Sequence, residues 1–267
     1  MSLSSASIAV IGGTGLYELM TSGREVTLDT PYGQPSGPIT VGEVSGIPVA
    51  FLPRHGYGHH LPPHKIPYRA NCWALKKLGV KRIIASSACG SLKVGIHPGD
   101  FVVTDQFVDK THGREDTFFL GPRVVHISAA EPYCPQLRSL AISQIRGLGI
   151  TCHEQGTCVV IQGPRFSSRA ESALYTKLGW DIINMTQYPE VILAREQEIC
   201  YVNIALVTDY DAGVVAAEGQ AAVTAVDIVQ LLKDNNDRVK SVIQAMIEKM
   251  PARDECSCGI ALENSSL

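Results

Sequence analysis

Side chains that can bind an oxyanion follow several apolar runs of this sequence. Arg54 and His55 come directly after Phe51-Leu52, and a planar guanidinium beside an imidazole suits the oxygens of a phosphate. Residues 86–90, Ser-Ser-Ala-Cys-Gly, follow a second run with hydroxyls and backbone amides that can point at one ligand. Thr186 follows a third run. A surface arginine with a solvated histidine would explain the first pair alone, but the combination predicts a phosphate site.

A fourth set of donors follows the first apolar run, Ile8 to Ile11. The next residues, 12–15, are Gly-Gly-Thr-Gly, which lets backbone amides and the Thr14 hydroxyl approach an anion. The motif lacks the full spacing of a dinucleotide-binding loop, and a simple tight turn explains it equally well. Donors at four run ends nevertheless strengthen the prediction of a phosphate site.

Two carboxylates, Asp209 and Asp211, follow the apolar run that ends at Val207. A cation site or a helix cap would also use such a pair. If Asp209 is protonated, it can act as a general acid, and both burial and the charge of Asp211 would raise its pKa. An ionised Asp211 accepts hydrogen bonds and does not donate them, which suits a ligand that presents a donor.

Four histidines, at positions 55, 59, 60 and 64, lie in a stretch rich in Gly and Pro. Imidazoles are common zinc ligands, but this stretch lacks the helical frame that usually fixes such pairs. We therefore expect a loop over the active site and no bound metal.

The apolar runs predict buried strands that alternate with helices. The predicted strands are residues 8–11, 82–85, 101–104, 159–162, 181–185 and 201–207. Pro67 and Gly79 mark the ends of one helix, Ser168 and Glu171 have the spacing of a capping box, and an amphipathic stretch covers residues 224–250. The alternation predicts an α/β fold with a central mixed, largely parallel sheet flanked by helices, and a hairpin at 38–52 supplies antiparallel character.

Composition restricts the classes of protein and partner. The 267 residues show no linker, so we expect a single domain with a polar C-terminal tail from about residue 251. A net charge of −3 with scattered Lys and Arg argues against binding of nucleic acid. No apolar run approaches the ~18 residues of a membrane span, and the N-terminus lacks a basic leader. We expect a cytoplasmic protein that does not bind membranes.

The eight cysteines fall into two groups. Six are widely spaced, mostly in apolar runs, and are interpreted as free buried thiols. Cys256 and Cys258 lie in the polar tail, where one residue between them is tight for a metal chelate and would strain a disulfide. We interpret the two cysteines either as an exposed redox-sensitive pair or as residues that have no functional role.

Seven motifs occur in order between Ile8 and roughly Met250. They are 12–16 (GGTGL), 53–56 (PRHG), 88–91 (ACGS), 131–135 (EPYCP), 163–171 (GPRFSSRAE), 184–190 (NMTQYPE) and 208–211 (TDYD). On these motifs the chain resembles the trimeric purine nucleoside phosphorylase family, in particular the members that act on methylthioadenosine. Two departures are Ser86-Ser87, where two threonines are common, and the small apolar segment 212–216.

The resemblance implies three groups of site residues. Phosphate would be held by Thr14, Arg54, His55, Ser87, Ala88 and Thr186. The purine and nucleoside would be bound by Phe166, Ser167, Met185, Asp209 and Asp211, with Asp209 catalytic. The 5'-methylthio group would be bordered by Val226, Val229 and His126, the last supplied by a neighbouring subunit.

The activity implied by the resemblance is that of a pentosyltransferase. It would convert 5'-methylthioadenosine and inorganic phosphate into adenine and 5-methylthioribose 1-phosphate, in purine and methionine salvage, as a homotrimer or a hexamer. Phosphate would be a co-substrate, and no cofactor would be required. The alternatives are a broad purine nucleoside phosphorylase that also acts on adenosine, inosine or guanosine, a nucleosidase that uses water, and a nucleotide sensor without turnover.

Overall fold

The computed structural model describes residues 5–13, 16, 20, 23–214, 224–252 and 256–266. The strands are β1 (Ile8–Gly12), β2 (Gly23–Val26), β3 (Ile39–Val44), β4 (Ile47–Pro53), β5 (Arg82–Ser91), β6 (Phe101–Val103), β7 (Gln106–Lys110), β8 (Cys152–His153), β9 (Thr157–Ile161), β10 (Ile182–Asn184) and β11 (Cys200–Tyr210). The helices are α1 (Tyr68–Lys77), α2 (Pro135–Gly147), α3 (Arg169–Lys177), α4 (Gln187–Glu196) and α5 (Ala225–Glu248), with short 3-10 helices at Pro63–Lys65 and Ser257–Ile260.

These strands form one sheet that branches at β5. The order β2-β3-β4-β1-β5 continues on one branch through β10, β9 and β7, and on the other through β11, β6 and β8. Six pairings are parallel and four are antiparallel. The prediction of a mixed, largely parallel α/β sheet is confirmed, and so is the hairpin, which is β3 and β4.

Helices cover both faces of the central strands, which explains why those strands are continuously apolar. All five residues of β1 are buried. On one face, Leu137 of α2 and Val242 of α5 pack in the same cluster as Val10. On the other, Leu75 of α1 and Val191 of α4 pack with residues from β1 and β4. The parallel strands thus have a fixed frame that orients their carboxyl ends.

The helix boundaries agree with their local signals. Ser168 Oγ accepts from the Glu171 amide at 3.2 Å, and Glu171 Oε2 accepts from the Ser168 amide at 2.7 Å, which completes the predicted capping box of α3. Thr224 and Asp227 form a second capping box at the start of α5. The predicted end of β5 at Ala85 is wrong, because the strand continues to Ser91 in register with β11.

The branching leaves part of one edge of β5 without a neighbouring strand. β1 pairs with β5 up to Ala85, and β10 pairs with it at Gly90 and Ser91. Between these points, β11 is the strand that pairs with residues 86–89 among the described residues. Amides directed to the other edge therefore have no strand partner there. This gap lies at the carboxyl ends of β1 and β4, where ligands bind in sheets of this kind.

The C-terminal residues 256–266 pack back onto the domain. Cys258 is 5% exposed, so the interpretation of an exposed cysteine pair is wrong for this residue. Ser266 forms an isolated bridge with Val125, and the Leu262 amide donates to Glu198. No helix in the described ranges combines the length and apolarity needed to cross a bilayer.

Candidate functional site

A cavity of about 620 Å³ opens at the gap in the sheet, within the range of about 300–1,000 Å³ of small-molecule sites. Most of the predicted site residues line it together. These are Arg54, His55, Ser87, Ala88, Phe166, Ser167, Met185, Thr186, Asp209, Asp211 and Val229. They come from distant parts of the sequence and meet because the sheet brings the ends of β4, β5, β10 and β11 to one edge.

Arg54 is a buried, ion-paired arginine, and the alternative of a surface arginine is wrong. Its side chain is 3% exposed, and Nε and Nη2 donate to the two carboxylate oxygens of Glu190 at 2.7 and 2.8 Å. Nη1 donates to the Ser86 carbonyl at 2.7 Å. Burial lowers the pKa of Arg54, but the Glu190 carboxylate more than compensates and raises it above its ordinary value. Arg54 is therefore a permanently charged group of fixed orientation.

His55 is a neutral imidazole with a fixed tautomer. Its Nδ1 lies 2.9 Å from the Leu61 carbonyl, and because a carbonyl only accepts, Nδ1 carries the proton. Burial, with smaller effects from Arg54 and His59, lowers the pKa of His55 to about 4 despite the Leu61 hydrogen bond. Its ring stacks on that of His59 at 4.1 Å. At neutral pH, Nε2 is consequently a hydrogen-bond acceptor.

The hydroxyl of Ser87 belongs to a buried polar network. It donates to Asn203 Oδ1 at 3.0 Å and accepts from Asn184 Nδ2 at 3.3 Å. Gln187 donates to the same Asn203 oxygen at 3.0 Å. The side chain of Thr186, directly before α4, makes no capping hydrogen bond. This part of the cavity thus presents two hydroxyls. That of Ser87 is oriented by its neighbours, and that of Thr186 is not used to cap a helix.

Asp209 lies where the pairing of β11 with β5 is interrupted. The register shifts between Val207 and Asp209, so that Asp209 faces Gly90. Thr208 Oγ1 donates to Asp209 Oδ1 at 2.7 Å. Burial is the main reason why the pKa of Asp209 rises to about 6; the Asp211 charge adds to the rise and the Thr208 hydrogen bond opposes it. Asp209 thus has the properties of a general acid.

Asp211 is buried and hydrogen bonded to the segment before α3. Ser167 Oγ lies 2.7 and 2.6 Å from its two carboxylate oxygens, and the Asp211 amide donates to the Ser91 carbonyl at 2.9 Å. This contact joins the chain at 163–168 to the end of β11. The alternative in which Asp211 caps a helix is wrong, because residues 212–214, which follow it directly, are not helical.

Two side chains, Phe166 and Met185, give the cavity lining an apolar part. Phe166 is 46% exposed, and Met185 contributes its thioether. Gly163 has a φ of +63°, and a Cβ atom there would lie 2.6 Å from Met185 Sδ. Glycine is therefore required for Met185 to occupy this position, and the exposed Phe166 ring is free to pack on a flat ligand.

The helix α5 closes the remaining side. Its residues Ile228, Val229, Leu232, Lys233, Asn236 and Val239 line the cavity. The expectation for Val226 is wrong within this chain, because Val226 is 77% exposed and lies outside the lining. His126 is exposed beside the C-terminal residues, where its amide donates to Ser265 at 2.7 Å. It does not line the cavity of its own chain. Thr14 lies outside the described residues.

Sequence reasoning missed several residues that build the site. Glu190 was visible only as the last residue of a motif, and nothing in the spacing linked it to Arg54, which is 136 positions away. Thr208 and Asn203 were likewise missed as partners of Asp209 and Ser87. The signal that could have suggested Glu190 is its charge within an otherwise apolar stretch, 189–194, since buried carboxylates are usually paired.

Comparison with known proteins gives matches over nearly the whole chain. The model of the phosphorylase superfamily matches residues 7–248. The S-methyl-5'-thioadenosine phosphorylase of Thermofilum pendens is 50% identical over 260 residues, which cover 97% of this chain and 97% of that protein.

Solved structures with the same fold are available for methylthioadenosine phosphorylases. The crystal structure of one from an antarctic soil metagenomic library has a TM-score of 0.91 and 42% identity, and the match covers 99% of this chain and 93% of the other. That of the Schistosoma mansoni enzyme in complex with adenine has a TM-score of 0.89 and 36% identity, with 98% and 99% covered. The region matched by the superfamily model runs from β1 to the end of α5 and contains every residue that lines the cavity.

Proposed function

The chain belongs to the phosphorylase superfamily, and from this premise we propose that it cleaves 5'-methylthioadenosine with inorganic phosphate. The products are adenine and 5-methylthioribose 1-phosphate. The observation that carries the proposal is the juxtaposition, in one cavity, of a buried arginine and a carboxyl group with a raised pKa. The first suits an anionic nucleophile, and the second suits a leaving group that needs a proton.

Phosphate binds at the Arg54 end of the cavity. The guanidinium has five N–H donors; contacts to Glu190 and Ser86 use three of them, which leaves two for phosphate oxygens. Because Nε2 of His55 is an acceptor, it takes a hydrogen bond from the protonated oxygen of hydrogen phosphate. Ser87, Thr186 and backbone groups at Ala88 complete the site, and Thr14 is assigned to it by resemblance alone.

Asp209 acts on the purine. As the bond between C1' of the sugar and N9 breaks, its electron pair passes to the base, and protonated Asp209 gives its proton to N7. A phosphate oxygen forms the new bond to C1', so no nucleophile from the protein, no metal and no organic cofactor are needed. With a pKa of about 6, a minor fraction of Asp209 is protonated at neutral pH, and substrate is cleaved from that fraction.

The remaining lining residues determine which nucleoside fits. Asp211 accepts a hydrogen bond from the 6-amino group of adenine, where a 6-oxopurine would present a second acceptor. Phe166 and Met185 pack on the purine and the sugar. Val229, with its neighbours Ile228 and Leu232, supplies apolar surface for a methylthio group rather than a hydroxyl.

A neighbouring subunit completes the site in a homotrimer, or in a hexamer made of two trimers. Leu120 and Val124 are 70% and 48% exposed in the segment that leads to His126, and exposed apolar side chains grouped in this way are typical of contact surfaces. This segment packs on the next subunit and delivers His126 to its 5' pocket. The enzyme works in the cytoplasm, in purine and methionine salvage.

The test is a comparison of 5'-methylthioadenosine, adenosine and inosine as substrates, each with and without phosphate. The proposal predicts that free base appears only with phosphate and that kcat/KM is highest for 5'-methylthioadenosine. Equal or better cleavage of inosine would identify a general purine phosphorylase. Release of base without phosphate would identify a nucleosidase, and no release at all would indicate a nucleotide sensor.

A further inference from the structure

Four cysteines from three distant segments meet on the side of the sheet covered by α2 and α5. Cys134 is the residue before α2, Cys200 begins β11, and Cys256 and Cys258 belong to the C-terminal segment. Their sulfur atoms all lie within 4.8 Å of one another, and those of Cys200 and Cys256 are 3.4 Å apart. In the part of the chain that the structure describes, no other group of three or more ligand-type side chains converges in this way.

The spacing of the sulfurs fits a tetrahedral ion. A zinc–thiolate bond of about 2.3 Å places the sulfurs of a regular tetrahedron about 3.8 Å apart, which lies between the closest contact and the outer limit of this cluster. We propose that Cys134, Cys200, Cys256 and Cys258 form a tetrathiolate site for a soft divalent cation, zinc in the first instance. The Cys-x-Cys spacing suffices because Cys256 is extended, with φ −139° and ψ 147°, and the chain then turns into a 3-10 helix.

The surroundings supply the positive charge that such a site requires. Four thiolates around a divalent cation carry a net charge of −2, which is costly to bury without compensation. Arg82 is 8% exposed and is the register partner of Cys200 on the adjacent strand. Directly paired residues on neighbouring strands share a face, so Arg82 and Cys200 lie on the same side of the sheet.

Arg82 has unused hydrogen-bonding capacity at this place. One of its terminal nitrogens donates to the Pro251 carbonyl at 2.8 Å, whereas its buried Nε has no partner. No described carboxylate forms an ion pair with it within 4.0 Å. A buried cation with no acidic partner among the described residues, on the strand next to Cys200, is the arrangement expected near an anionic metal centre. The N-terminus of α2 at Cys134 further favours a thiolate.

The site is structural and separate from catalysis. Cys200 and Asp209 lie nine residues apart on β11, about 30 Å at a rise of about 3.3 Å per residue. The cysteine cluster therefore lies at the N-terminal end of β11, whereas the cavity lies at its C-terminal end. A metal there would fasten the C-terminal segment to β11 and α2, and its removal would lower thermal stability without changing turnover at low temperature.

The experiment combines a thiol count with metal binding to the full chain. Protein purified without reductant is analysed for metal by mass spectrometry, then unfolded with a chelator and alkylated without reductant. The proposal predicts one zinc ion per chain and alkylation of all eight cysteines. Fewer than eight alkylated cysteines would reveal disulfides and overturn the proposal. Eight alkylated cysteines without metal, and no uptake of added zinc or cobalt, would overturn it as well.

Cobalt replacement tests the ligand set directly. Cobalt(II) in the unmodified protein should give the visible bands of a tetrahedral tetrathiolate, at one ion per chain. Cys134→Ser and Cys258→Ser should each abolish that spectrum, whereas Cys152→Ser, a partly buried cysteine outside the cluster, should retain it. A spectrum that survives the first two substitutions, or one typical of octahedral oxygen ligands, would contradict the assignment. If a serine variant fails to fold, the cobalt(II) spectrum of the unmodified protein still tests whether the ligands are four thiolates.

Discussion

At the phosphate end of the cavity the protein itself holds the arginine in place, whereas at the nucleoside end the aromatic ring is left open. Arg54 is 2% exposed and bound on two sides by Glu190 and Ser86. Phe166, at the other end, is 46% exposed. Charged groups must be oriented in advance, because reorganising them during the reaction is costly. An aromatic ring gains its contacts when the ligand arrives.

This difference predicts that substitutions at the two ends of the cavity affect stability and activity differently. At the phosphate end, changes should reduce both stability and phosphate affinity, since the same contacts serve both. At the nucleoside end, changes should reduce catalysis with little loss of stability, or even with a gain.

The largest effect is expected for Asp209→Asn. An amide cannot protonate N7, so kcat/KM for 5'-methylthioadenosine should fall by about 10²- to 10⁴-fold. The preference for 5'-methylthioadenosine over inosine should remain, because Asp211 and not Asp209 contacts position 6 of the purine. Steady-state kinetics on both nucleosides measure this, with Asp237→Asn on the exposed face of α5 as the control. An unchanged kcat/KM for 5'-methylthioadenosine would rule out this role for Asp209.

The next effect concerns the buried ion pair of Arg54 and Glu190. Removing one partner leaves a buried charge uncompensated, so Glu190→Ala should lower the free energy of unfolding by about 3–5 kcal/mol and raise the KM for phosphate. Replacing both, as Arg54→Met with Glu190→Leu, should restore much of the stability but not phosphate binding. Chemical denaturation and phosphate titrations separate these outcomes. A double variant with normal phosphate KM would show that Arg54 is structural only.

A smaller effect is expected for the contribution of Asp209 to the pH dependence of protein stability. Its pKa is about 6 in the folded protein against an ordinary 3.8, so the folded state binds the proton more tightly. This contribution to stability is lost as pH rises from about 4 to 6. The Tm of Asp209→Asn relative to the unmodified protein should therefore rise over that interval and level off above it. His55, whose pKa is lowered, contributes the opposite slope to both proteins and cancels. A Tm difference that does not vary with pH would contradict the raised pKa.

The smallest effect is expected for Phe166→Ala. The ring contributes stacking on the purine, worth about 0.5–1.5 kcal/mol, so the KM for nucleoside should rise roughly twofold to tenfold. The phosphate KM and the Tm should not change, because the ring is half exposed. Loss of Tm in this variant would show that the nucleoside end also carries stability and would weaken the contrast between the two ends.

The sequence predicted those features that depend on local signals. The apolar runs at β1, β6 and β11 are continuous because both faces of these strands are covered, and Ser168 with Glu171 marks the start of α3 by spacing alone. Parallel strands also end at one edge, which is why residues found after separate runs were expected to meet. Most of them do line one cavity.

Features that depend on pairing across the fold could not be predicted. The end of β5 was placed too early, because small polar residues in the strand are read as a loop unless β11 is known to lie beside them. The partnership of Arg54 with Glu190 and the meeting of four cysteines have no spacing signal. Val226 lies at the exposed start of α5. The helical pattern predicts that this residue is in a helix but not which surface it contacts.

The most direct test of the central claim is to follow the label when 5'-methylthioadenosine is incubated with ¹⁸O-labelled phosphate in ordinary water. The claim is that phosphate, held by the Arg54 end, attacks the sugar while Asp209 protonates the base. It predicts that all released sugar appears as 5-methylthioribose 1-phosphate carrying the label, in step with free adenine. Release of adenine with unlabelled, unphosphorylated sugar would contradict it, because water would then be the nucleophile.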